Sequence, residues 1–148
     1  MVAEPRALEA TLDEIRAHGG RVTPARRAVL SAILDAGEHH FTAADVLTIV
    51  EHTASGPDRA TVYRTLELLT ELGFLRPLLL DGDATVYHRA DHDHGHLVCE
   101  SCGAITEIPA ATLTDLTRAV EDDSGFAIDM HSVAIPGTCA RCTPRSGP

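Results

Sequence analysis

The first half of the chain carries apolar residues at every third or fourth position, which is the period of an amphipathic helix. Leu8, Leu12 and Ile15 form one such face, and a pair of glycines ends it at residues 19–20. Three more helices are predicted to follow. Each opens with a residue whose side chain can cap a helix N-terminus, namely Thr23, Thr42 and Asp58.

The last of these helices has two different faces. The inward face is predicted to hold Val62, Thr65, Leu66, Leu69 and Leu72, and the outward face Ala60, Tyr63, Arg64, Glu67 and Glu71. A recognition helix needs side chains such as Tyr63 and Arg64 near its N-terminal end, because that end enters the major groove and arginine can hydrogen-bond guanine. An ordinary surface helix can carry the same residues, so this helix alone leaves both interpretations open.

Short β-like runs follow the helices. Residues 74–80 and 84–89 are predicted strands, joined by the hairpin signal Asp81-Gly82-Asp83. Helices followed by a hairpin are the layout of a winged helix-turn-helix. The second half predicts strands at 96–98, 104–108 and 126–136, with an amphipathic helix carrying Leu113, Leu116 and Val120 before the last strand. We therefore predict an α+β protein with a winged-helix domain over 1–89, an α+β domain over 90–142 and a tail over 143–148.

Charge and composition narrow the possible partners. The formal net charge is −10, which argues against a general nucleic-acid binder, but the 12 basic residues are all arginine and most of them lie in the first half. A local DNA-binding surface therefore remains possible. The N-terminus lacks the apolar core of a signal peptide, and the longest apolar runs are too short to cross a membrane, so we expect a cytoplasmic protein without a membrane partner.

Four cysteines form two CxxC pairs, Cys99 with Cys102 and Cys139 with Cys142. In a reducing compartment such pairs indicate metal ligation before disulfides, and four thiolates make a closed tetrahedral zinc site. Redox dithiols are the competing interpretation. A catalytic CxxC usually opens a helix, which lowers the thiol pKa, and neither pair is predicted to do so. We therefore predict structural zinc.

Histidines lie close to the first cysteine pair, within the stretch HGHLVCESCG. In a strand, His94 and His96 point to one face and offer two imidazoles to one metal. His88 is near in sequence, whereas His40 and Glu107 can join only through tertiary folding. The stretch therefore offers ligands of two kinds, imidazoles from His94 and His96 and thiolates from the first cysteine pair.

Several stretches together resemble the ferric uptake regulator (Fur) family. They are TPARRAVL, HHFTAADV, ATVYRTLELLTELGF, HGHLVCESCG and HSVAIPGTCARC, in the family's order and spacing over residues 10–142. The resemblance implies a homodimeric, metal-dependent transcriptional repressor that binds palindromic double-stranded operator DNA. It also implies that the C-terminal α+β domain forms the dimer.

Residue by residue, the resemblance implies three sets. The four cysteines match the family's structural zinc ligands, and the regulatory metal falls to His40, His88, His94, His96 and Glu107. Tyr63 and Arg64 match the operator-contacting stretch and Arg26 a backbone-contacting position; Arg59 and Thr61 complete our predicted DNA-binding set. Glu107 matches a ligand of the peroxide-sensing branch, so an iron-loaded protein could respond to peroxide by oxidation of a ligand histidine.

Two departures from the family pattern matter. The position of His88 carries other ligand types in several branches. A further site found in many members would use positions that are here Asp93, Gly95 and Thr114, with His131 and also His92 nearby. Because Gly95 cannot ligate a metal, we predict that this further site is absent or degraded.

Metal identity and two other functions stay open at this point. A nitrogen-rich set with one carboxylate suits Zn²⁺, Ni²⁺ or Fe²⁺. The absence of a cysteine among the sensing ligands counts against zinc, so we favour Fe²⁺ or Mn²⁺, with Ni²⁺ or Zn²⁺ as alternatives. A metalloenzyme could use four histidines to activate water with Glu107 as base, but it needs no recognition helix. A zinc-stabilised DNA-binding adaptor without sensing would bind only the cysteine-held zinc.

Overall fold

The computed structural model describes residues 5–36, 40–54, 56–78, 84–90, 94–129 and 134–143. The chain divides into two compact units, unit 1 (Met1–Pro77 and Gly82–Ala90) and unit 2 (Leu78–Asp81 and Asp91–Pro148). Their elements follow in the order α1 (Pro5–Ala17), α2 (Pro24–Asp35), β1 (His40–Thr42), α3 (Ala43–Val50), α4 (Arg59–Glu71), β2 (Leu75–Leu78), β3 (Val86–Arg89), β4 (His94–Cys99), β5 (Ile105–Pro109), α5 (Ala110–Ser124) and β6 (Ala134–Gly137). The predicted α+β class is confirmed.

The predicted helix caps set where three helices of unit 1 begin. The Thr23 hydroxyl accepts a hydrogen bond from the backbone N–H of Arg26, and the Asp58 carboxylate accepts one from Thr61. Thr42 and Asp45 form a capping box, in which each side chain accepts from the other residue's backbone N–H. These bonds satisfy N–H groups that have no partner within the helix.

The core of unit 1 is formed by the apolar faces of its helices together with its small sheet. It contains Leu12, Ile15, Val29, Leu30, Ala32, Ile33, Phe41, Ala43, Val46, Val50, Val62, Leu66, Leu69 and Leu75. The prediction for α4 is confirmed: Val62, Thr65, Leu66 and Leu69 are buried, and the whole predicted outward face is exposed. Leu72 is half-buried.

The sheet of unit 1 has one more strand than the sequence predicted. Its order is β1-β3-β2, so the two predicted strands are neighbours, and the added strand β1 pairs antiparallel with β3. The predicted turn, Asp81-Gly82-Asp83, lies outside the described residues. Strand β1 places Phe41 in the core opposite Tyr87, with the two rings stacked 6.2 Å apart. This strand is hard to recognise in the sequence because it has only three residues and its last residue, Thr42, is also the N-cap of α3.

Unit 2 is a three-stranded sheet with α5 beside it. The order is β5-β4-β6, with β4 antiparallel to β5 and parallel to β6. Of the predicted apolar face of α5, Leu113 is buried and Val120 is half-buried, but Leu116 is 48% exposed. Within residues 94–129 and 134–143, the buried apolar side chains are Cys99 and Leu113, so this part has a thin core.

The prediction of one long strand over 126–136 is wrong in its extent. Residues 126–129 are not a strand, residues 130–133 lie outside the described part, and β6 begins at Ala134. After the left-handed C-cap at Gly125, Ala127 and Ile128 line a cavity of about 270 Å³ with α5. Ile128 is half-buried beside this cavity, whereas Phe126 is 66% exposed.

Candidate metal centres and nucleic-acid interface

The four cysteines converge at one end of the sheet in unit 2. Cys99 ends β4 and enters a tight turn in which the N–H of Gly103 donates to the Cys99 carbonyl, and Gly103 takes the positive φ of 71° that this turn needs. Cys139 and Cys142 lie in a second turn after β6. All four sulfur atoms lie within 4.8 Å of one another. One cluster of four sulfurs favours a single metal site over two separate dithiols.

The spacing of the sulfur atoms suits a bound cation. A tetrahedron with Zn–S bonds of about 2.3 Å has S···S edges of about 3.8 Å, and Cys102 Sγ lies 3.8 Å from Cys139 Sγ. The backbone N–H of Cys139 donates to Cys99 Sγ at 3.3 Å and lowers the pKa of Cys99 to about 6. The neighbouring sulfurs of Cys102 and Cys139 raise the pKa of Cys142 to about 12. A bound cation favours the thiolate form of every member of such a set.

One pair of predicted histidine ligands lies in unit 1. His40 and His88 are opposite each other in the β1–β3 register, with ring centroids 6.2 Å apart. His88 is buried, and its Nδ1 lies 3.1 Å from the carbonyl oxygen of Arg89. Because a carbonyl only accepts, Nδ1 carries the proton and a neutral His88 has its lone pair on Nε2. The Arg89 carbonyl thus gives this histidine a defined tautomer with one nitrogen able to ligate.

A second histidine pair lies in unit 2, on β4. His94 and His96 are both buried, with ring centroids 4.7 Å apart. Glu107 is the register partner of His96 on β5, and its Oε1 lies 3.8 Å from His94 Nε2. The strand pairing therefore brings two imidazoles and one carboxylate together within this unit.

Gly95 and Thr114 are the two described positions of the further metal site that we predicted to be absent. Among its positions, His92, Asp93 and His131 lie outside the described residues. At Gly95, a Cβ atom would overlap the side chain of Leu113, and the Thr114 hydroxyl donates to the Ala110 carbonyl at 3.1 Å. Gly95 thus permits close packing of α5 on β4.

The predicted DNA-binding residues lie in two parts of unit 1. Arg59, Tyr63 and Arg64 are exposed on α4, and Thr61 is half-buried in the first turn of that helix. Arg26 lies in the first turn of α2, where its guanidinium donates to the Arg21 carbonyl at 2.5 Å.

Two features of these sites were missed from sequence. The opposition of His40 and His88 depends on β1, whose signal is the three-residue alternation His-Phe-Thr before a helix cap. The guanidinium carbon of Arg59 lies 5.5 Å from the centre of the Tyr63 ring, and the only sequence signal for this contact is their i, i+4 spacing.

Comparisons with known proteins show the family to which this chain is similar. The ferric uptake regulator family matches residues 17–136. Over 126 residues the chain is 38% identical to the ferric uptake regulation protein of Bacillus subtilis (strain 168), covering 82% of this chain and 85% of that protein. Over 138 residues it is 28% identical to the peroxide operon regulator of the same strain, covering 93% and 94%.

A solved structure of Helicobacter pylori Fur, for which three functional metal-binding sites are described, has the same fold. It superposes with a TM-score of 0.76 over 99% of each chain, at 19% identity. In the described part of our chain, no helix is long and apolar enough to cross a membrane.

Proposed function

Because this chain belongs to the ferric uptake regulator family, whose members are transcriptional regulators rather than enzymes, we propose that it is a metal-dependent repressor. In this proposal a homodimer binds palindromic operator DNA when a regulatory metal is bound. The observation that carries it is that sulfur donors and histidine donors form separate groups. One unit has four converging sulfurs, and each unit has a histidine pair.

We assign Cys99, Cys102, Cys139 and Cys142 to a structural zinc ion. The 3.8 Å sulfur separation and the closed set of four sulfurs support this assignment, since structural zinc sites keep no open position. Bound zinc supplies cross-linking between the turn after β4 and the turn after β6. Because the described core of this part is thin, the cross-link would contribute directly to folding.

We assign the regulatory metal to His40 and His88 from unit 1 and to His94, His96 and Glu107 from unit 2. A metal ion bound there would be a Lewis acid, ligated by imidazole nitrogens and a carboxylate. Imidazole suits Fe²⁺, Ni²⁺ and Zn²⁺, and carboxylate suits Mn²⁺. Because the set has no thiolate, we favour Fe²⁺ or Mn²⁺ over Ni²⁺ and Zn²⁺. The Arg89 carbonyl beside His88 Nδ1 is the kind of outer contact that orients a ligating histidine. Glu107 Oε1 lies 3.8 Å from His94 Nε2, close enough for both to ligate one metal.

The chain's own residues suggest how ligation would control DNA binding. Arg26, Arg59, Thr61, Tyr63 and Arg64 would contact the operator from unit 1. Ligands drawn from both units would restrict the angle between them, and in a symmetric dimer that angle sets the spacing of the two α4 helices. The coupling must be reciprocal, so operator DNA would also tighten metal binding.

A peroxide response is a finer proposal for the same site. Its support is the carboxylate of Glu107 beside His94, together with the likeness over 93% of the chain to a peroxide operon regulator. If the site holds Fe²⁺, hydrogen peroxide should oxidise a ligand histidine, which gains one oxygen atom while the other oxygen of the peroxide leaves as water, and DNA binding should be lost. The manganese-loaded protein should resist the same treatment.

Binding to the chain's own promoter tests the proposal. The full-length protein is reloaded anaerobically with Fe²⁺, Mn²⁺, Ni²⁺ or Zn²⁺, and each form is titrated against the promoter duplex and an unrelated duplex. We expect one or two metals to tighten specific binding strongly while the cysteine-held zinc stays constant. Equal binding by every form, including the form with zinc alone, would favour an adaptor without sensing.

A further inference from the structure

The first turn of α4 holds an arginine stacked on a tyrosine. Arg59 and Tyr63 are one helical turn apart, with the guanidinium carbon 5.5 Å from the ring centre. The Arg59 Nη2 also lies 3.4 Å from the Tyr63 hydroxyl oxygen. Both side chains are exposed, Tyr63 by 38%. The contact is therefore a preformed pair on the outer face of the helix.

Helix stability does not account for Arg59. A cation in the first turn opposes the helix dipole, which favours acidic residues there. Two arginines elsewhere in the chain are ion-paired, Arg27 with Glu9 and Arg118 with Asp115, whereas Arg59 lies against an aromatic ring. Its placement is better explained by what its free N–H groups can bind.

We propose that Arg59 determines base specificity, reading a guanine in each operator half-site while Tyr63 holds it in position. This inference rests on the proposed DNA-binding function. The guanidinium fork matches the O6 and N7 acceptors of guanine in the major groove. The contacts with the Tyr63 ring and hydroxyl hold the guanidinium and leave its other N–H groups available. A side chain already held in place loses less conformational entropy on binding, which favours a single geometry.

A panel of duplexes tests this inference with the metal-loaded, full-length protein. Each half-site position of the chain's own promoter is changed in turn, in both half-sites, and affinities are compared at one salt concentration. The wild type should disfavour replacement of one G·C pair by about 5- to 150-fold. Arg59→Leu should lose that preference and keep the preferences at other positions.

Two further variants separate base reading from other roles. Arg118→Leu removes the same charge from an exposed site on α5 and should keep every base preference. Tyr63→Leu should weaken the preference at the Arg59 position, and the double variant should lose no more of it than Arg59→Leu alone, because the two residues act through one contact.

Specific outcomes overturn the inference. If Arg59→Leu weakens binding equally on all duplexes, Arg59 contacts phosphate only. If Arg59→Leu binds as the wild type does, the residue has no role in recognition. Failure of the wild type to bind its promoter under any metal would instead refute the proposed function.

Discussion

His40 and His88 lie opposite each other on the antiparallel strands β1 and β3, with ring centroids 6.2 Å apart. The pairing couples two residues far apart in sequence through a strand of only three residues. On the other unit, β4 brings His94 and His96 to a ring separation of 4.7 Å. Each histidine pair is thus fixed by secondary structure within its own unit, as expected for ligands that must keep their geometry without metal.

His40→Ala should weaken the regulatory metal and leave the fold intact. His40 is half-buried on a short strand, so its truncation removes little of the core. Loss of an outer-shell partner already lowers metal affinity by about 10–100-fold, so loss of a ligand should cost at least that much. Metal titrations and promoter binding measure the effect, with the exposed His52→Ala as the matched control. Unchanged metal affinity in His40→Ala would remove this residue from the ligand set.

Cys102→Ser should release zinc and unfold much of unit 2 while α1–α4 stay protected. The side chain is exposed, so the change disturbs little besides ligation. Structural zinc can supply about 10–16 kcal/mol of apparent folding free energy, and few buried apolar side chains replace it here. Zinc content and amide hydrogen exchange are the measurements, and Ser101→Ala in the same turn is the control. A variant that lost zinc but kept slow exchange throughout β4–β6 would contradict the assigned role.

Gly95→Ala should destabilise unit 2 by about 1–3 kcal/mol, the usual cost of overpacking. A Cβ at this position would overlap Leu113, which α5 packs against β4. Urea unfolding of the zinc-loaded protein measures the loss. Gly137→Ala is the control, because nothing lies within 4 Å of a Cβ there. The double variant Gly95→Ala/Leu113→Ala should lose less unfolding free energy than the sum of the two single losses. If the two losses simply add, the methyl group introduced by Gly95→Ala does not collide with Leu113.

The capping box at α3 should make that helix sensitive to acid. The Thr42 hydroxyl and backbone N–H both donate to Asp45, and these hydrogen bonds lower the pKa of Asp45 below 3.8. A carboxyl group with a lowered pKa in the folded state stabilises the fold at pH values above its pKa in the unfolded chain. That stabilisation is lost as the pH falls through the pKa of the folded state. Asp45→Ala should therefore lower the free energy of opening of α3 by about 1 kcal/mol near neutral pH, and amide exchange in that helix should become faster.

The difference between wild type and Asp45→Ala should shrink as the pH falls below 3.8. Hydrogen exchange localised to α3 is the appropriate measurement, because acid also releases metal from the cysteines. The exposed Asp122→Ala on α5 is a control that should leave exchange in α3 unchanged. A gap that stayed constant down to low pH would show that the carboxylate does not cap the helix.

Local chemistry made most of the fold predictable. Thr23, Thr42 and Asp58 cap helices because each side chain bonds to N–H groups a few residues away, and such contacts need no tertiary information. The tight CxxC spacing similarly indicated a cluster of four sulfurs, although convergence of the two pairs required the parallel pairing of β4 with β6.

Long-range packing decided what was missed. Strand β1 is too short to show periodicity, and only its partner β3 makes it a strand. Residues 126–129 alternate as a strand would, yet Ile128 lies beside α5 instead. Leu116 belongs to the predicted apolar face of α5 but remains 48% exposed, since Gly95 receives only the Leu113 side of the helix.

Counting metals before and after chelation, with promoter binding measured on the same samples, tests the central claim most directly. We predict that the cysteine-held zinc resists the chelator, that a second metal is removed, and that specific DNA binding is lost with it and returns when that metal is restored. A chain that holds only the resistant zinc and binds its promoter equally well throughout would contradict metal sensing and leave a zinc-stabilised DNA-binding protein.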